Sequence, residues 1–143
     1  MLARRPDWQQ RLQWYLTCNS TTVFHYGTFD CGLFVCDAIR EMTDIDLAAN
    51  YRERYDSRAG AKALMQLNSG TGSLLEVTEE ITEHFGMLKI RPPFAQRGDV
   101  VLLKRSREYS LGLIALDGCE ILTCYHRGFV RLPFHRALRA WRV

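Results

Sequence analysis

The first half of the chain spaces its apolar residues three and four positions apart, which predicts helices. The most regular stripe follows Asp30, a residue type that caps helix N-termini, and it predicts a helix from Cys31 to about Met42. Its apolar positions are Cys31, Phe34, Val35, Ala38, Ile39 and Met42. Further helices are predicted from Pro6 or Asp7 to Leu16, over Ala48–Arg54, over Ala59–Leu67 and over Leu74–Phe85, the last closed by Gly86.

After Pro92 and Pro93 the pattern changes to short apolar runs separated by turn residues, which predicts strands. The runs cover Val100–Leu103, Leu111–Leu116, Glu120–Tyr125 and Phe129–Leu132. Asp-Gly at position 117 and Arg-Gly at position 127 separate consecutive runs, and an Asp-Gly pair in such a place favours a hairpin. Helices followed by an antiparallel meander make the α+β pattern, so we predict one α+β domain over residues 1–143.

The composition indicates an ordinary globular domain. Hydrophobic residues make up 47% of 143 residues, enough for one core, and the formal charge of +3 gives little support for a nucleic-acid partner. The N-terminus lacks the apolar segment of a signal peptide, and no run reaches the roughly 20 apolar residues of a membrane span. We therefore expect a protein made in the cytoplasm without a membrane span. The arginine-rich end, from His126 to Arg142, is typical of a solvated face.

Cys31 is the candidate nucleophile. A reactive cysteine needs a lowered thiol pKa and a nearby base. The first turn of a helix favours a thiolate through the helix dipole, and its free amides can stabilise an oxyanion. Asp30 acts in the other direction, because a neighbouring carboxylate repels a thiolate. By itself, a cysteine at this position is more often simply a small buried residue.

The segment Phe24–Val35, FHYGTFDCGLFV, contains Asp-Cys-x-x-Phe-Val and resembles the motif that opens the catalytic helix of NlpC/P60 cysteine peptidases. Ala95–Leu102, AQRGDVVL, is similar to the Gln-x-Gly-Asp strand of that family, and Ser110–Ile114 falls where the family has His-Val-Gly-Ile. The ending, from Gly128 to Val143, looks like that of small phage-encoded members associated with tail tips. The resemblance implies a papain-like fold with N-terminal helices packed on a C-terminal antiparallel sheet.

The same resemblance implies that the catalytic base is missing. Its register puts Ser110 where the family has the base histidine, and it puts the third polar residue near Leu122 or Thr123. A serine hydroxyl cannot take a proton from a thiol near neutral pH. Cys31 therefore lacks its expected base.

Two other histidines are candidates to replace that base. His126 follows a predicted strand, and His25 lies six residues before Cys31. The predicted catalytic residues are therefore Cys31, His126 and His25, whereas His84 and His135 are expected on the surface.

We expect no metal and no cofactor. The cysteine pairs Cys31/Cys36 and Cys119/Cys124 are each five residues apart, wider than the usual zinc spacing. No glycine-rich loop has the strand and lysine that phosphate binding requires. The five cysteines, an odd number, are expected to be reduced and mostly buried.

Three functional hypotheses follow. The first is a catalytically impaired phage tail-tip or baseplate component that resides in the virion tail and binds other tail proteins. The second is an active cysteine hydrolase that cleaves peptidoglycan peptides with Cys31. The third is a cytoplasmic binding module that uses the basic C-terminal face. Fold resemblance alone does not decide among them, because function depends on the site.

Overall fold

Four helices precede a six-stranded antiparallel sheet in the computed structural model, which describes residues 2–143. The helices are α1 (Trp8–Cys18), α2 (Cys31–Thr43), α3 (Arg58–Ser69) and α4 (Leu74–His84). The strands are β1 (Leu88–Ile90), β2 (Val100–Arg105), β3 (Glu108–Ile114), β4 (Glu120–Cys124), β5 (Phe129–Pro133) and β6 (Arg139–Arg142). Short 3₁₀ turns lie at Pro92–Phe94 and Phe134–Arg136. The predicted α+β class is confirmed.

The sheet order is β1-β6-β2-β3-β4-β5, so the predicted meander is confirmed for β2 to β5. The last strand then returns to lie between β1 and β2, where Trp141 pairs with Val100 and Arg142 pairs with Leu88. The arginines of the C-terminal end are exposed or half-buried, as expected of a solvated face. As an interior strand of the sheet, β6 buries Ala140 and Trp141.

The helix α2 packs against the middle of the sheet and starts at Cys31 as predicted. Its buried side chains share one core with Val100 and Leu102 of β2. The alternate residues of that strand, Val101 and Leu103, pack in a second cluster on the opposite face. Because both faces of β2 are covered, its sequence is a continuous apolar run instead of an alternating one.

The helix predicted over Ala48–Arg54 is wrong, because this segment forms a series of turns. The amides of Tyr51 and Arg52 bond to the carbonyl of Ala48, at 2.9 and 3.2 Å, as at the start of a helix. Glu53 then adopts a φ of 57° and donates its amide to the carbonyl of Gly27 at 2.9 Å. This contact ties the segment to the loop before α2.

Asp99, the last residue of the Arg-Gly-Asp sequence before β2, has a structural role. Its side chain is fully buried and accepts hydrogen bonds from Arg4 at 2.9 Å and Arg142 at 3.4 Å. The amides of Gln96 and Val143 donate to the same carboxylate at 2.8 and 3.3 Å. A buried carboxylate is tolerated when it is paired and hydrogen-bonded in this way. It holds both ends of the described chain against the start of β2.

Candidate functional site

Cys31 is the first residue of α2, and the residue before it fixes the loop that leads there. Asp30 is 5% exposed, and one of its oxygens accepts the amide of Leu33 at 2.9 Å, which confirms the predicted cap. The other oxygen accepts the amide of Gly27 at 3.1 Å and the hydroxyl of Tyr55 at 2.5 Å. The carboxylate therefore joins α2, its preceding loop and the turn segment around Tyr55.

Ser110 lies beside Cys31, where the resemblance expects a base. The Ser110 hydroxyl is 3.4 Å from that of Thr123, which in turn donates to the carbonyl of Leu111 at 2.8 Å. This approach of β4 to β3 depends on Gly112, where a Cβ would lie 2.7 Å from a β4 carbonyl oxygen. The structure thus brings Cys31, Ser110 and Thr123 together, one from a helix and two from neighbouring strands.

The surroundings of Cys31 oppose ionisation. Burial raises the pKa of the Cys31 thiol, and the adjacent Asp30 carboxylate raises it further. Hydrogen bonding by the Leu111 backbone and the Ser110 side chain lowers this pKa, as does the positive charge of Arg105. The direction that prevails is upward, so the thiol is protonated near neutral pH.

The thiol faces a cleft of about 620 Å³ between α2, α3, α4 and the β2–β3 hairpin, here called the Cys31 cleft. Its apolar lining residues include Leu33, Leu47, Ala48, Ala61, Met65, Leu74, Val77, Ile81 and Leu111. Its charged lining residues are Asp30, Arg58, Lys62, Arg105, Arg107 and Glu108. The volume is that of a pocket for a small molecule or a short peptide.

One protein family matches nearly the whole sequence. The model of the domain of unknown function DUF6950 covers residues 3–143. The chain belongs to this family. A comparison with curated proteins finds no match. Since the family description assigns no activity, the function of this DUF6950 domain has to be argued from the Cys31 cleft.

The structure does not bring the two candidate histidines into the cleft. His25 and His126 are exposed, and neither lines the Cys31 cleft. They lie on two loops that are joined where the amide of Phe24 donates to the carbonyl of His126 at 3.0 Å. Phe24 and Tyr26 line the cleft, and the alternating direction of successive side chains turns His25 outward between them.

The other two histidines and the five cysteines are also placed by the structure. His84 and His135 are exposed, as expected. All five cysteines are free, but the expectation that most are buried is wrong, because Cys124 is buried, Cys31 and Cys36 are half-buried, and Cys18 and Cys119 are exposed. Cys36 and Cys124 line the cleft together with Cys31. Burial raises the pKa of Cys36 to about 12.

Neither a metal cluster nor a membrane-spanning helix is found within residues 2–143. In that range no three His, Cys, Asp or Glu residues are grouped so that they could hold a metal ion. The helices of the same range are too short or too polar to cross a membrane.

Several residues of the cleft were not identified from the sequence. Tyr51 and Tyr55 fall in the segment predicted as a helix or beside it, and Arg105 and Arg107 belong to a hairpin whose turn has no glycine. No local pattern marks them, because they meet Cys31 only through the tertiary fold.

Proposed function

We propose that this DUF6950 domain has an NlpC/P60-like, papain-type fold whose peptidase site is impaired, and that it acts by binding. Its place of action in this proposal is a phage tail tip or baseplate, where its partners are other tail proteins. The phage setting rests on the resemblance of the C-terminal segment. Support for the fold type comes from a helix that begins at the candidate cysteine and packs on an antiparallel sheet.

The absence of a base beside the thiol is the observation that carries the proposal. Ser110 lies next to Cys31, and Thr123 lies next to Ser110, at positions that match the second and third members of a Cys-His-polar triad. No histidine lines the cleft in the described part of the chain. A protonated thiol without a base is a poor nucleophile.

A titration of Cys31 tests this proposal directly. The other four cysteines are replaced by serine or alanine, and the alkylation rate of Cys31 is followed against pH. We expect a midpoint above the unperturbed value of about 8.5, unchanged by His25→Ala or His126→Ala. A midpoint well below that value, lost in either histidine variant, would establish a working Cys–His pair and overturn the proposal.

The Ser110→His variant tests whether position 110 is the site of the missing base. A histidine there should lower the Cys31 midpoint and speed alkylation near neutral pH, because an imidazolium stabilises a thiolate. Thr28→His is the matched control, since Thr28 is exposed and only three residues from Cys31. An equal effect of both variants would mean that Ser110 is not specially placed.

The biological setting has its own test. A silent binding component predicts that mass spectrometry detects the protein in purified phage particles and that Cys31→Ala leaves them fully infectious. Absence from the particles would instead support the cytoplasmic binding module that uses the basic C-terminal face.

An active cysteine hydrolase is the second candidate, favoured by one observation. Among the described residues, the amides of Cys31 and Gly32 have no protein acceptor and lie at the edge of an open cleft, as an oxyanion site requires. This function needs His126 or His25 to move into the cleft. It predicts cleavage of peptidoglycan peptides that Cys31→Ala abolishes without unfolding the domain.

A further inference from the structure

Helix α3 has an apolar side, with Ala61, Leu64 and Met65, that the rest of the chain covers only in part. None of its residues is buried, although amphipathic surface helices normally bury their apolar stripe. Ala61 and Met65 on that side line the Cys31 cleft, whereas Leu67 is 80% exposed and does not line it. The helix packs mainly on α4. Since Ala61 and Met65 line the cleft, its apolar side forms one wall of it.

Other elements contribute apolar residues to the cleft as well. Leu33 at the start of α2 and Leu111 of β3 line the cleft near the thiol, and Leu74, Val77 and Ile81 extend the apolar surface along α4. About 620 Å³ between these elements is within the usual range of small-molecule pockets. The volume and the apolar lining fit an apolar chain.

The charges around the cleft are unbalanced. Four cationic side chains and two carboxylates line it, and both carboxylates already have partners: Glu108 forms an ion pair with Arg58, and Asp30 accepts three hydrogen bonds. Among the described residues, no carboxylate lies within 4.0 Å of the remaining cationic groups, which belong to Lys62, Arg105 and Arg107. Positive charge on two walls of an apolar cleft favours an anion.

Tyr51 adds a polar group without a partner. Its hydroxyl oxygen is buried and forms no hydrogen bond with any described residue, and its side chain lines the cleft. Leaving a buried hydroxyl unpaired is costly, so such a group indicates a missing hydrogen-bond partner. A ligand oxygen would supply it only by reaching a hydroxyl that neighbouring residues shield from solvent.

We propose that the Cys31 cleft binds an amphipathic anion, with an unbranched apolar chain against α3 and one anionic head group near Lys62, Arg105 and Arg107. The inference rests on the proposed function, in which the domain acts by binding and not by cleavage, and it adds a ligand class for the Cys31 cleft. It requires no chemistry at the thiol.

Calorimetric titration of the full chain with three C12 compounds tests the charge and the apolar chain together. Dodecanoate, dodecyl phosphate and dodecanol share one apolar chain and differ in the head group. We expect at least one of the two anions to bind at micromolar concentration and dodecanol to bind at least about tenfold more weakly, a difference of about 1.4 kcal/mol. Binding of one anion alone identifies the head group as carboxylate or phosphate. Binding of neither anion, or equal binding of dodecanol, would overturn the inference.

Two pairs of variants locate the ligand. Met65→Asp places a charge on the side of α3 that lines the cleft and should weaken anion binding about tenfold or more, whereas Leu67→Asp on the same helix should not change it. Arg107→Gln should weaken binding several-fold, whereas Arg54→Gln, an exposed arginine outside the cleft, should not. Equal effects within either pair would contradict the placement.

The failure of this inference can be told apart from that of the proposed function. If neither anion binds while the Cys31 thiol titrates above 8.5, the ligand class is wrong and the impaired site stands. If an anion binds and the thiol midpoint is low and histidine-dependent, the cleft has the ligand class inferred here, and the hydrolase alternative replaces the impaired site.

Discussion

Tyr55 and Tyr51 lie four residues apart in the same turn segment, and both line the Cys31 cleft, but their hydroxyl groups differ in one respect. The Tyr55 hydroxyl donates to the buried Asp30 carboxylate at 2.5 Å. The Tyr51 hydroxyl is buried without a partner. Replacing each tyrosine by phenylalanine keeps the ring and removes only the hydroxyl, so the two variants form a matched pair.

We expect the two variants to change the free energy of unfolding differently: Tyr55→Phe should lower it, and Tyr51→Phe should not. A hydrogen bond to a charged group contributes about 1.5–3 kcal/mol, and Tyr55→Phe leaves one Asp30 oxygen with only the Gly27 amide at 3.1 Å. We therefore expect Tyr55→Phe to lower the stability by about 2 kcal/mol. Tyr51→Phe removes an unpaired buried hydroxyl and should leave the stability unchanged or raise it by up to about 1 kcal/mol.

Urea unfolding at pH 7, followed by tryptophan fluorescence, measures both effects. The m-values should stay equal to that of the wild type, because neither variant changes the surface exposed on unfolding. A loss below about 0.5 kcal/mol for Tyr55→Phe would refute the role of Asp30 as a buried junction. An equal loss of stability for Tyr51→Phe would show that the loss in Tyr55→Phe does not come from the hydrogen bond to Asp30.

Two further predictions concern the same region. Gly27→Ala should destabilise the fold by more than Gly118→Ala, as measured by urea unfolding: both glycines have positive φ, 91° and 76°, but only at Gly27 would a Cβ lie 1.9 Å from the carbonyl oxygen of Tyr55. Equal losses of stability in the two variants would mean that the backbone shifts at little cost to make room for the Cβ at position 27. Burial raises the pKa of the Cys124 thiol, so its contribution to stability is complete below the unfolded pKa of about 8.5 and is lost as the pH rises toward the higher folded pKa. Under reducing conditions the wild type should therefore lose more stability between pH 9 and 10.5 than Cys124→Ala, by up to about 1.4 kcal/mol per pH unit, and parallel curves would contradict this.

The parts of the fold that sequence reasoning predicted depend on local signals. Asp30 caps α2, and the helix that begins at Cys31 continues to Thr43, one residue beyond the predicted end. The meander from β2 to β5 follows from short connections between apolar runs, and its register places Ser110 opposite Leu103 of β2. The place of Ser110 near Cys31 was expected from the resemblance to the NlpC/P60 motifs, and not from the hairpin pattern.

The parts that were missed depend on contacts between distant segments. Strand β1 has three residues and pairs with β6, whose residues lie 50 to 54 positions further along the chain, so no local pattern predicts it. The turn segment around Tyr51 has helical propensity, but the amide of Glu53 bonds to Gly27 instead of continuing a helix. Tertiary contacts of this kind override weak local preferences.

The electrostatics of the cleft connect the two proposals. Arg105 is the only side-chain charge among the main influences on the Cys31 thiol that favours its ionisation, and it is also one of the three cations assigned to the anionic head group. An anion bound beside Arg105 would offset this positive charge and would itself repel a thiolate in a poorly solvated cleft. Occupancy by an anion and ionisation of Cys31 therefore oppose each other. A hydrolase needs the Cys31 thiolate, so its activity would be higher with a neutral substrate or with no anion beside Arg105. A binding protein needs no thiolate, so a protonated thiol does not reduce its affinity. The two proposals are therefore compatible: burial and Asp30 raise the pKa of the Cys31 thiol, and an anion bound beside Arg105 would raise it further.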